Sequence, residues 1–186
     1  MPTNILQDIG ESLKKFLLLN LKDILEEEDI LFRSPGELEL PDKPKLVIFL
    51  SSFEENNYLR NTEPERQNNQ KYYPPLVLDL HYHFIPYAKD REKEWTIMEK
   101  VLQTFHDTKI FQGEMLAQEL SKSGNDTIKI TSFKMDAKDL DRIQSLFLDK
   151  RYRLMASYTF SPIKIPSLRT QEFKEIKKRE LGVEKK

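Results

Sequence analysis

PPLVLDLHYHFIPYA, residues 74–88, follows a proline pair with a run of leucine, aromatic and β-branched residues, which predicts a strand. Side chains along a strand alternate between its two faces. Leu76, Leu78, Leu80, Tyr82 and Phe84 therefore share one face, continuous and apolar, which is expected to lie on the core. Val77, Asp79, His81, His83 and Ile85 share the other, a mixed face expected to be partly covered or to lie near a subunit boundary. Asp79, His81 and His83 stand two apart, a spacing that could hold a metal if both imidazoles are neutral and a third ligand such as His106 approaches. The D-x-H-x-H pattern lacks the helical context that makes metal motifs specific, so the histidines are read as strand residues. A small metal-dependent enzyme built on Asp79, His81 and His83 is the rival reading.

The flanking segments have their own periodicities. Ile5, Ile9, Leu13, Phe16, Leu17 and Leu21 recur at three and four, predicting an amphipathic helix over about 5–25 with Asn4 and Gln7 as a capping box. Ile30 and Phe32 alternate in a short strand that ends at Ser34–Pro35. KLVIFLSSF, residues 45–53, reads as a buried strand. Residues 54–75 are polar and too long for a featureless loop, so a hairpin arm is expected there, with a plain surface loop as the alternative.

Beyond residue 88, Asp90 opens a helix of about 90–107 on which Trp95, Met98, Val101, Leu102 and Phe105 are assigned to one face. A turn and a short element follow at IFQGEMLAQEL. Residues 127–133 alternate as a strand, and Asp136 or Asp139 opens a helix through Leu140, Ile143, Leu146 and Phe147. YRLMASYTFSPIKI, residues 152–165, is the last strand. The order predicts an α+β fold, a mixed or largely antiparallel sheet flanked by helices, over residues 1–166. Residues 167–186 form a charged tail with seven basic and four acidic residues, in which Phe173, Ile176 and Leu181 suggest a docking helix.

Composition limits the functions open to this chain. Its 186 residues suit one domain, and eleven Phe, seven Tyr and one Trp suffice for a core. With no cysteine, disulfides, thiol nucleophiles and thiolate metal sites are excluded. A net charge of −1 gives no global attraction to nucleic acid. The longest uncharged apolar run, FLLLNL at 16–21, is far short of a membrane span, and the N-terminus lacks the pattern of a signal peptide. A cytoplasmic protein is expected. No P-loop or G-x-S-x-G occurs, Ser51–Ser52 has no identifiable base, and Glu54–Glu55 belongs to a solvated run. Exposure and segment position single out Tyr58, Arg60, Tyr72, Tyr73, Phe173, Ile176 and Leu181 as candidate protein contacts.

The ordered segments ILQDIGESLKKFLLLNL, ILFRSPGEL, LVIFLSSFEENNYLRN, PPLVLDLHYHFIPYA, VLQTFHDTKIFQGEML and YRLMASYTFSPIKI span residues 4–166. Together they resemble the N-terminal domain of the tail-terminator, or tube-cap, proteins of phage-tail-like contractile injection systems of the antifeeding-prophage and virulence-cassette type. The resemblance implies a structural subunit without catalytic residues, metal or cofactor. Such a subunit forms a ring, typically a hexamer, at the end of the inner tube and sheath and ends their polymerisation. Implied partners are further copies of the chain, the inner tube protein, the sheath protein and a longer cap paralogue, within a particle that is released or anchored. A neck, baseplate or adaptor component of the same particle is the alternative within this class.

Overall fold

The computed structural model describes residues 4–59, 65–67, 70–147 and 152–172, with the backbone alone at 65–67, 70–72 and 170–172. A six-stranded sheet organises the chain. Its strands are β1 (Ile30–Phe32), β2 (Lys45–Glu55), β5 (Leu76–Tyr87), β6 (Ile110–Gln112), β7 (Thr127–Ser132) and β8 (Ala156–Ile165), in the order β1-β2-β5-β8-β7-β6. Only β1 and β2 run parallel; every other neighbouring pair is antiparallel. The stretch that opened the sequence reading is thus central, flanked by the two other long strands. Register slips at Leu50/Ser52 and at Leu78/Leu80 mark bulges that bend these strands.

Two helices cover one face. The stripe predicted for α1 (Ile5–Leu21) is buried at all six positions, and the core it enters includes Leu80, Phe84, Phe105, Phe111 and Phe160. The predicted cap does not form. Asn4 makes no side-chain cap bond, and Gln7 instead donates to Glu11 Oε1 at 3.0 Å, because the Asn4 backbone (φ −96°, ψ 54°) is not extended as capping requires. In α2 (Arg91–Asp107), Asp90 does cap, accepting from the Glu92 amide at 3.0 Å. Its buried stripe is Glu94, Ile97, Met98, Val101, Thr104 and Phe105. Trp95 and Leu102, assigned from sequence to the same face as Met98, Val101 and Phe105, are 60% and 46% exposed. A stripe through 94, 97, 101 and 105 excludes positions one step round the helix.

The other face has a smaller core. Val47, Ile85 and Tyr87 pack there against Ile143 and Phe147, at and just beyond α4 (Ala137–Gln144), whose cap Asp136 accepts from the Asp139 amide at 2.8 Å. A short helix α3 (Gln118–Lys122) supplies Leu120 to the larger core. Residues 65–72 contain the expected hairpin, β3 (Glu65–Gln67) and β4 (Gln70–Tyr72). Strand β9 (Thr170–Glu172), from the charged tail, pairs antiparallel with β4 to complete a separate three-stranded sheet.

Candidate functional site

The histidine cluster is the first candidate, and its geometry is that of a buried polar seam. His81 and His83 are only 6% and 1% exposed, which corrects the expectation of a partly covered or boundary-facing surface. The cover comes from this chain itself: Phe133 stacks on His81 at 4.5 Å between centroids, and Phe49 lies against His83 at 6.1 Å. Each imidazole meets a hydroxyl on its cross-strand partner in β8. His81 Nδ1 is 2.9 Å from Thr159 Oγ1, and His83 Nδ1 is 2.7 Å from Ser157 Oγ. Burial, with the charge of His81 adding to it, pushes the His83 pKa down to about 4, so this ring is neutral at pH 7.

Asp79 turns to other partners. At the β5 bulge its Oδ1 accepts from Asn56 Nδ2 at 3.0 Å and from Ser161 Oγ. Asp79 Oδ1 and the two Nδ1 atoms are thereby held by Asn56, Ser161, Thr159 and Ser157, in a row that ties β2, β5 and β8 together, while His81 Nε2 is buried without a hydrogen-bond partner. Among the described residues, no group of three or more His, Asp or Glu side chains gathers as a metal site would require. Alternation put these residues on one face, but only the pairing with β8 supplies the hydroxyls.

A second buried cluster was not legible in the sequence. Glu94, in the first turn of α2, is 2% exposed and accepts from Arg153 Nη1 at 3.2 Å and Arg91 Nη1 at 2.9 Å. The Arg153 guanidinium lies 4.2 Å over the Tyr87 ring, and Gln144 holds the Arg153 backbone from both sides at 3.0 and 3.3 Å. Arg91 Nη2 also donates to the Tyr152 carbonyl at 3.1 Å. This network fixes the approach to β8 against α2 and α4. It is a tether between elements distant in sequence, and no periodicity announces it.

Of the predicted contact residues, Tyr58 and Tyr73 and the backbone of Tyr72 are described. Tyr58 is 98% exposed, on a turn where Asn56 Oδ1 accepts from its amide at 3.2 Å. Tyr73 ends the arm, and the Arg169 guanidinium sits 4.4 Å over its ring. The backbone of Tyr72 pairs with Thr170. The two surfaces selected separately from sequence, the polar arm and the charged tail, are thus brought together as one small sheet. Arg60, Phe173, Ile176 and Leu181, with the side chain of Tyr72, lie outside the described residues.

Open apolar surface occurs elsewhere as well. A groove of about 620 Å³ runs between α1 and the β1–β2 edge, lined by Leu6, Gly10, Phe32 and Leu50. A second, of about 650 Å³, lies between the end of α2 and β7, lined by Leu102, His106, Thr131 and Tyr158. Phe32 packs over Gly10, where a β-carbon would meet its ring in van der Waals contact at 3.4 Å. Among the described residues no helix is long and apolar enough to cross a membrane.

Comparison with known proteins agrees with this geometry. The profile of the Pvc16 N-terminal domain matches residues 8–178. The fold is similar to the sheath/tube terminator of the extracellular contractile injection system PVC in its extended state, with a TM-score of 0.66 and 14% identity over 94% of this chain. It is also similar to the tube-terminating cap of the anti-feeding prophage, with a TM-score of 0.61 and 17% identity over 94% of this chain. The chain spans 63% and 60% of the lengths of those two proteins. Among curated proteins, none matches by sequence.

Proposed function

Because the chain belongs to the Pvc16 N-terminal domain family, we propose that it is a structural terminator of a contractile injection system. In this reading it forms a ring, a hexamer, on the end of the inner tube and sheath and ends their growth. The observation that carries the reading is the likeness of 94% of the chain to two proteins described as a sheath/tube terminator and a tube-terminating cap. The partners are further copies of the chain, the inner tube protein, the sheath protein and a longer cap paralogue.

Physical logic supports the role. A growing tube offers a face whose unsatisfied edges template the next ring. A terminator matches that face and presents a different one outward, and heterologous contacts around a closed cycle make a ring that consumes its own lateral edges. Burial of the histidines at 6% and 1% exposure leaves surface complementarity, rather than that cluster, as the means of action. The arm of residues 54–75 reaches a neighbouring subunit or the tube. The tail of residues 167–186, a segment separate in role from residues 1–166, straps onto the sheath through Phe173, Ile176 and Leu181.

The decisive test removes this gene from a particle-producing host and measures tube and sheath lengths by electron microscopy. Tubes of uncontrolled length or unattached sheaths are expected. An unchanged length distribution with normal sheath attachment overturns the reading. Removal of residues 173–186 alone is expected to spare the ring and weaken sheath capture.

A further inference from the structure

The ladder between β5 and β8 stops at one point and resumes beyond it. Its last pair in the six-stranded sheet is Leu76 with Ile165, and Tyr72 then pairs with Thr170 where β4 meets β9. Both pairings are antiparallel, so the same two chain segments run side by side in both sheets. One step from Tyr72 and Thr170 towards the gap, Tyr73 stands against Arg169, whose guanidinium lies 4.4 Å over that ring. What is left between the sheets is Pro74 and Pro75 on one segment and Pro166, Ser167 and Leu168 on the other.

The chemistry of these residues explains the break. Proline has no amide hydrogen to give a ladder, fixes its own φ and restricts the residue before it. Pro74–Pro75 is therefore a short, stiff strut. Ser167 and Leu168 are not so constrained, and Leu168 is fully exposed. The Ser167 hydroxyl accepts from the Arg169 amide at 3.2 Å, a local bond within its own segment. Among the described residues the two sheets share no strand pairing. On the far side of the gap the body is well packed, with Val77, Leu78 and Ile163 all buried.

We propose that this gap is a hinge about which the three-stranded sheet swings as one unit, clamped at its root by Arg169 on Tyr73, so that arm and tail change position together. The inference deepens the proposed function and rests on it for what the two segments touch. On that reading the arm reaches a neighbour or the tube and the tail reaches the sheath, so engagement of the tail sets where the arm points.

Two features support a swinging unit over two independent segments. Strand β4 is shared, pairing at three positions with β3 and at three with β9, so arm and tail separate only by breaking that sheet. The Tyr73–Arg169 contact joins the two segments on the small sheet's side of the prolines, where it holds the unit together and leaves the gap free to bend. Hinges of this kind need only a few connecting residues to absorb the change in φ and ψ, here Ser167 and Leu168 beside the proline strut.

The absence of cysteine makes site-directed spin labelling clean. In the full chain carrying Glu99→Cys on α2 and Arg66→Cys on β3, pulsed electron–electron double resonance is expected to show two distance populations. Arg169→Ala should shift their ratio by about two- to fivefold, the scale of an exposed cation–π contact, and Arg169→Lys by less. A second label pair, Arg66→Cys with Gln171→Cys, spans the small sheet and should keep one spacing in every variant. Combining Pro74→Val, Pro75→Val and Pro166→Val restores amide donors across the gap and should narrow the first distribution.

A single narrow distance between positions 99 and 66 that none of these changes moves overturns the hinge. Loss of the 66–171 spacing in Arg169→Ala shows the small sheet coming apart instead of swinging, and overturns the unit. The measurement needs neither tube nor sheath, so its failure leaves the terminator reading standing. Unchanged tube lengths after gene deletion strike that reading alone.

Discussion

The two faces of the central sheet are stabilised by different chemistry. On the helical face, α1 and α2 lay an apolar stripe over Leu80, Phe84, Phe111 and Phe160, all fully buried, with aromatic rings meeting edge-on or tilted, as Phe16 and Phe111 do at 5.1 Å. Dispersion and burial dominate there and have no strong pH dependence. On the opposite face a seam of hydroxyls and imidazoles runs between β5 and β8, bounded by the small core under α4 and the Glu94–Arg153 pair. That face costs desolvation, offset where imidazole, hydroxyl and carboxylate groups find partners. One face tolerates apolar repacking. The other depends on His81 Nδ1, His83 Nδ1 and Glu94 keeping their partners, and it already carries one buried ring nitrogen, His81 Nε2, without a hydrogen bond.

The largest expected effect lies on the helical face. Phe111→Ala removes a fully buried ring and leaves a cavity, and chemical denaturation should register a loss of about 3–5 kcal/mol, with little dependence on pH. Next comes Glu94→Gln. It leaves the nearly buried Arg153 charge without its carboxylate, and the expected loss is roughly 3 kcal/mol, at the low end for a buried pair because Arg91 is half-exposed. A companion Arg153→Met in the Glu94→Gln background should recover part of that loss. Equal losses in the single and double variants would show that packing, not charge, is what the pair supplies.

Acid should separate the faces by another route. His83 has a folded pKa of about 4 against an ordinary value near 6.5, so the unfolded chain binds a proton that the folded chain refuses. Stability from this group is fully present above pH 6.5 and is lost as pH falls from 6.5 to 4. The full loss is on the order of 3 kcal/mol. Urea titrations across that range should slope accordingly, and His83→Gln should flatten the slope. An unchanged slope would mean that other groups set the acid sensitivity. Trp95→Ser should be the smallest change, within about 0.5 kcal/mol, since the ring stands mostly in solvent. A loss of several kcal/mol would restore Trp95 to the core role that its spacing suggested.

Legibility followed the source of each constraint. The stripe of α1 was readable because a helix buries one face against a large partner, and all six of its predicted positions are buried. The strand at 76–87 and the hairpin in the polar interval were readable from alternation and from the improbability of so long a featureless loop. On α2, Met98, Val101 and Phe105 are buried together, whereas Trp95 and Leu102 resemble core residues only by type, and Glu94 is a buried member by position. Of the candidate contacts, Tyr58 is exposed and Tyr73 is half-buried under Arg169, and nothing local linked the arm to the tail strand at 170–172.

By itself, the sequence determined the α+β class, the central strand and its apolar side, and the absence of any thiol chemistry, because periodicity and composition act along the chain. Tertiary structure alone decided that the second side of that strand is buried as well. Cover for His81 and His83 comes from residues 49, 133, 157 and 159, dozens of positions away. It alone also set the stepped sheet edges, which arise from which short strand stops against which long one, a matter of pairing between remote segments rather than of any segment's own preference.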